Sequence, residues 1–159
     1  MCDEETVWLT PAGYARLEKE LEQLRTAERR DVADRIRDSQ HSGEFAENPE
    51  YEEAKAEQAR VEARIRDLRR ILQRAEVLKA EAIPTDHVGI GSVVTLRDLS
   101  NNDVWTITIV GSVEADPDND LISNESPLGK ALMGQTVGAK ITLNVPAGRL
   151  RYRIEQISR

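Results

Sequence analysis

The chain has 159 residues, of which 32% are charged and 4% aromatic, and carries a formal net charge of −7 at pH 7. That length allows one ordinary domain or two small ones. The acidic balance excludes a general nucleic-acid coat, which needs a basic surface, while leaving open contact with a protein that itself holds nucleic acid. The single cysteine, Cys2, excludes an intrachain disulfide framework. The opening "MCDEETVWLT" has no basic-then-apolar leader, and no apolar run approaches the roughly 20 residues of a bilayer span. The expectation is a soluble, cytoplasmic protein with no membrane partner.

In chain order, the first predicted element is a helix over "LTPAGYARLEKELEQL". Thr10 suits an N-cap and Pro11 the first helical position, where a missing N–H costs nothing. Leu17, Leu21 and Leu24 repeat at spacings of four and three. Val61, Ile65, Leu68 and Leu72 repeat the pattern further on, which predicts the seam of an antiparallel helix pair. Around that seam Glu57 and Glu62 alternate with Arg60, Arg64 and Arg66, which reads as a solvated face. The seam thins between Thr26 and Ser39, where Val32 and Ile36 are the only aliphatics larger than alanine. Helices of about 30 residues would give the hairpin a reach of roughly 45 Å.

Between the helices lies "HSGEFAENPEY", residues 41–51, with Glu44, Glu47 and Glu50 and a proline, Pro49, placed to open the second helix. Glu44 and Glu47 are three positions apart, so on a helical or turn-like tip they share a face. Such a tip could bind a metal, although two carboxylates alone make a weak site.

The character of the chain changes near "EAIPTDHVGIGS": the predicted domains are residues 1–78 and 87–159, with a linker at 79–86. Strands are expected in "GSVVTLRDL" and "DVWTITIVG", joined by an "SNN" turn, and in "AKITLNV" and "LRYRIEQI" around "PAG". Val145, Leu150, Tyr152, Ile154 and Ile157 are the expected core positions. In "SPLGKALMGQTVG", Ser126 can cap and Pro127 start a short helix, with Leu128, Ala131, Leu132 and Met133 apolar and Gly134 ending it. The fold class is α+β: a long antiparallel α-helical coiled-coil hairpin, then a small twisted β-sheet domain with one short helix.

Other chemistries lack support. His41 and His87 fall in different halves and no HxxxH or CxxC set exists, so a zinc site is not expected. "GIGS" reads as a turn entering a strand, since it has neither GxGxxG nor GK[ST]. Ser126 lacks a nucleophile-elbow context.

Four ordered blocks, "LTPAGYARLEKELEQL", "GEFAENPEYEEAKAEQ", "ARIRDLRRILQRAEV" and "SPLGKALMG", resemble the bacterial Gre transcript-cleavage factors over nearly the whole chain. The resemblance implies an N-terminal coiled coil and a C-terminal domain similar to the FK506-binding fold. That domain would dock on bacterial RNA polymerase at the rim of its secondary channel, and the coiled coil would enter the channel. Acidic tip residues, here Glu44 and Glu47, would help hold a second Mg²⁺ shared with the polymerase active site. The polymerase would then cleave the 3′ end of backtracked nascent RNA. The factor would be a stimulator rather than the nuclease, bind no metal tightly when free, and act as a monomer. By position the resemblance assigns Lys55, Arg37, Asn48 and Tyr51 to RNA contact or tip support. Polymerase docking is expected at Ser126, Pro127, Leu128, Gly129, Lys130, Met133 and Gly134. An aromatic prolyl-isomerase pocket is not expected in a chain so poor in aromatics, and fold alone does not give function.

The chain departs from the family pattern at the tip. Glu44 stands where aspartate is usual and reaches about an ångström further, a scale at which catalytic geometry is sensitive. Ala46 replaces a basic residue, Gln40 stands where a basic residue is common, Phe45 replaces leucine, and Lys55 replaces arginine, losing the bidentate fork. Two alternatives remain open at this point: a Gre-like channel regulator that inhibits without cleaving, and an unrelated coiled-coil adaptor.

Overall fold

The computed structural model of the chain describes residues 6–42 and 48–159. Residues 14–75 form one compact unit, and residues 6–13 together with 76–159 form another.

The first unit is a helical hairpin. Helix α1 spans Pro11–Gln23, passes through a five-residue π-helical stretch at Leu24–Glu28, and continues as α2, Arg29–Ser42; α3, Pro49–Arg74, returns. The π stretch, where Thr26 Oγ1 donates to the Glu22 carbonyl at 2.7 Å, has no counterpart in the sequence reading. At 26 residues, α3 is about 39 Å long. The three-four spacing does its expected work: Leu17, Leu24, Val61, Ile65 and Leu68 are buried, and Leu21 and Leu72 are half-buried. Toward the turn the buried groups shrink to Val32, Ala54 and Ser39.

The arginine-rich faces are not simply solvated. Arg29 binds Glu62 with Nε and Nη2 both at 2.8 Å, and Arg64 binds Glu20 at 2.7 and 3.0 Å. Both forks join residues far apart in sequence across the hairpin, whereas Arg60 pairs with Glu57 on its own helix. The bond to Arg29 holds the Glu62 carboxyl below its usual range, and the bond to Glu62 raises Arg29.

The second unit is a five-stranded sheet in the order β5-β4-β3-β7-β6. Its strands are β3 (Val93–Asp98), β4 (Val104–Val110), β5 (Leu121–Ser123), β6 (Lys140–Val145) and β7 (Gly148–Ser158). All pairings are antiparallel except β4 with β5. A register shift at Thr95/Leu96 marks a bulge against β7, which bends the sheet. Helix α4, Pro127–Leu132, is capped as its sequence requires: the Gly129 N–H donates to Ser126 Oγ at 3.1 Å. Its last residue, Leu132, is fully buried in the core cluster that includes Val94, Leu96, Ile107, Ile109 and Ile154. Tyr152, Ile154 and Ile157 take the expected core positions, but Leu150 is exposed and Val145 half-buried. These two line the side of the sheet that α4 leaves uncovered in part.

Short strands β1 (Val7–Leu9) and β2 (Ala75–Val77) pair as a separate two-stranded ribbon. The Leu78 N–H extends it by donating to the Leu9 carbonyl at 2.8 Å. Three-residue strands have too little periodicity to be read from sequence, as also holds for β5.

Candidate functional site

Two regions hold the residues singled out from the sequence. At the hairpin turn, Glu44 and Glu47, together with Phe45 and Ala46, lie outside the described residues. Asn48 bonds to both helices. Its Oδ1 accepts from the N–H of Glu50 at 3.1 Å and of Tyr51 at 3.5 Å, capping α3 with Pro49 at the first helical position. Its Nδ2 donates at 2.8 Å to the Ser39 carbonyl. That carbonyl is among the last four of α2, which have no intrahelical donor. One side chain thus satisfies groups on both helices.

The other tip residues follow. Lys55 Nζ sits 5.8 Å from the Tyr51 ring centroid, a cation–π distance. Arg37 is exposed, 3.4 Å from Asp34. Arg35, Asp38, Ser39, Glu50, Glu53 and Ala54 line a hollow of about 480 Å³ between α2 and α3. Charges of both signs line it, and Ser39, buried, turns its hydroxyl to the Ile36 carbonyl at 2.8 Å. Among the described residues no group of three or more His, Cys, Asp or Glu could hold a metal ion.

In the sheet unit, Ser126, Pro127 and Leu128 line an apolar groove of about 410 Å³, together with Trp105, Leu143, Val145, Leu150 and Tyr152. Trp105 and Tyr152 have ring centroids 6.2 Å apart, and the Trp105 indole N–H is fixed by Asp120 Oδ1 at 2.8 Å. Burial raises the Tyr152 phenol above its usual range, helped by the nearby Asp98 charge. The groove gathers aromatic and aliphatic side chains from β4, β6 and β7, which sequence reasoning assigned to the core or did not single out. Lys130 and Gly134 are exposed and Met133 packs partly on the core. Gly129 is buried with its Cα against the Ser123 carbonyl, where a Cβ would overlap that oxygen. No described helix is long and apolar enough to cross a membrane.

A helical hairpin whose returning helix is capped by Asn48, and a curled sheet unit offering an apolar groove, define a two-unit α+β protein. Residues 7–77 match the family described as transcription elongation factor, N-terminal. Residues 83–159 match transcription elongation factor, GreA/GreB, C-term. The transcription elongation factor GreA of Alkaliphilus oremlandii is 46% identical over 159 residues, covering 100% of this chain and 99% of that protein. Its counterpart from Caldanaerobacter subterraneus subsp. tengcongensis is 47% identical over 153 residues, 96% and 98% of the two chains. The GreA factor homolog 1 of Thermus thermophilus, a solved structure, is 35% identical over 98% of this chain and 100% of that one, with a TM-score of 0.46. The chain belongs to the GreA/GreB family of transcription elongation factors.

Proposed function

We propose that this protein is a transcription elongation factor that binds bacterial RNA polymerase and stimulates cleavage of the 3′ end of backtracked nascent RNA. The observation that carries the reading is the match of both halves, in order, to one elongation-factor family, with 46% identity over the full chain to a GreA. The groove beside α4 is the docking surface: its apolar wall offers area that association would remove from water, and α4 also carries the exposed cation Lys130. The hairpin enters the secondary channel, and Asn48 holds its turn closed so that Glu44 and Glu47 arrive on a fixed base. Lys55, held over Tyr51, and Arg37 supply positive charge toward the RNA backbone.

The donor set of the turn fits Mg²⁺ in chemistry, being carboxylate oxygens, but is too small to retain the ion in water. Glu44 and Glu47 would therefore share it with ligands of the polymerase. Bound there, a second metal would stabilise the attacking and leaving oxygens of phosphodiester hydrolysis. The factor acts as a monomer and is not itself the nuclease. A transcript-cleavage assay on purified backtracked polymerase complexes tests this: faster RNA shortening on addition of the protein is expected. Unchanged shortening despite polymerase binding would overturn the cleavage role and leave a channel regulator; no polymerase binding would overturn both. A Glu44→Asp comparison reads the effect of the longer side chain.

A further inference from the structure

Glu114, in the turn that follows β4, is buried at 3% exposure, and nothing in the cleavage chemistry uses it. Its carboxylate grips the start of α1. The Thr10 N–H donates to Oε2 at 2.9 Å and the Thr10 hydroxyl to Oε1 at 2.5 Å, across 104 positions of sequence. Helix α1 does not need this contact to begin, because Thr10 Oγ1 already accepts from the Gly13 N–H at 3.1 Å, a complete local cap. The helix surface is nonetheless shaped around the carboxylate: a Cβ at position 13 would overlap Glu114 Oε1 and displace it.

Burying a carboxylate is costly without compensating donors, and here the donors are the root of the helix that carries the hairpin. The Glu114 N–H in turn donates to the Gly111 carbonyl at 3.0 Å, immediately after β4. The returning chain is tied to the same root, through the pairing of β1 with β2 and the bond from the Leu78 N–H to the Leu9 carbonyl. We infer that Glu114 is a positioning residue for transcript cleavage. It holds Thr10 and the first turn of α1 in place within the sheet unit, at the point where the chain passes into the hairpin. This role rests on the proposed function.

The test uses the full chain as Glu114→Ala and Glu114→Gln, titrated against backtracked polymerase complexes, with amide hydrogen exchange on the free proteins. Glu114→Ala should lower the maximal cleavage rate at saturating factor by about tenfold or more, since displacements of an ångström cost rates on that scale. Its half-saturating concentration should stay within about twofold, since docking lies elsewhere. Glu114→Gln, which retains an acceptor for the Thr10 N–H, should recover most of the rate. Exchange should quicken in the first turn of α1 while amides of α3, β3 and β7 keep wild-type protection. A wild-type maximal rate in Glu114→Ala overturns the role. So does a loss of rate accompanied by faster exchange throughout, which marks a folding defect. A wild-type protein that fails to stimulate cleavage defeats the proposed function itself, a result separable from either.

Discussion

Replacing Asn48 separates the two jobs of one side chain. Asn48→Ala removes the N-cap of α3, worth about 1 kcal/mol within a range of about 0.5–2. It also removes the Nδ2 bond to the Ser39 carbonyl, worth about 0.5–1.5 kcal/mol net. The combined loss should be about 1–3.5 kcal/mol. Asn48→Asp keeps an acceptor for the Glu50 and Tyr51 N–H groups and places a negative charge at a helix N-terminus, a gain of about 0.3–1 kcal/mol. It has no donor for Ser39, so its net loss should stay below about 1 kcal/mol. Urea unfolding of the full chain followed by far-UV circular dichroism, with hydrogen exchange at residues 50–53, resolves the two variants. Asn48→Ala within about 0.3 kcal/mol of wild type, or Asn48→Asp as costly as Asn48→Ala, would refute the account of the turn.

Other outcomes follow from packing and charge. Leu68→Ala, at a fully buried seam position, should cost about 2–5 kcal/mol by urea unfolding. Gly129→Ala should destabilise the sheet unit and disorder the groove beside it, because the added methyl meets the Ser123 carbonyl oxygen; unchanged melting and unchanged Trp105 fluorescence would contradict this. The Glu62 carboxyl is depressed mainly by its bond to Arg29. Its stabilisation is therefore present above the unfolded carboxyl pKa and disappears as pH falls through the lower folded value. Glu62→Gln should destabilise at pH 7 but not well below pH 3, and less in high salt; an equal effect at both pH values would contradict the pairing.

What the sequence disclosed was local. The Leu17, Leu21, Leu24 and Val61, Ile65, Leu68, Leu72 spacings reveal a seam because a helix repeats every 3.6 residues. Thr10–Pro11 and Ser126–Pro127 announce helix starts because capping involves neighbours only. Contacts set by tertiary folding left no such mark. The forks from Arg29 to Glu62 and from Arg64 to Glu20, the clamp of Glu114 on Thr10, and the parallel pairing of β5 with β4 all join distant residues. Leu150 has the alternation of a core residue, yet strand periodicity cannot tell a covered face from one left open beside α4. At the turn, sequence identified Asn48 and Pro49 through family likeness and N1 preference. It did not reveal that the Asn48 amide reaches back to Ser39, since that bond depends on how the two helices meet.

In the proposed function the hairpin turn supplies the carboxylates for cleavage while another surface supplies binding. The most direct measurement compares wild type with Glu44→Ala plus Glu47→Ala for two quantities on the same backtracked polymerase complexes: affinity and the rate of RNA shortening. Wild-type affinity within about twofold and loss of stimulated cleavage are the expected results. Retained cleavage, or loss of binding in a double variant that still folds, would contradict it.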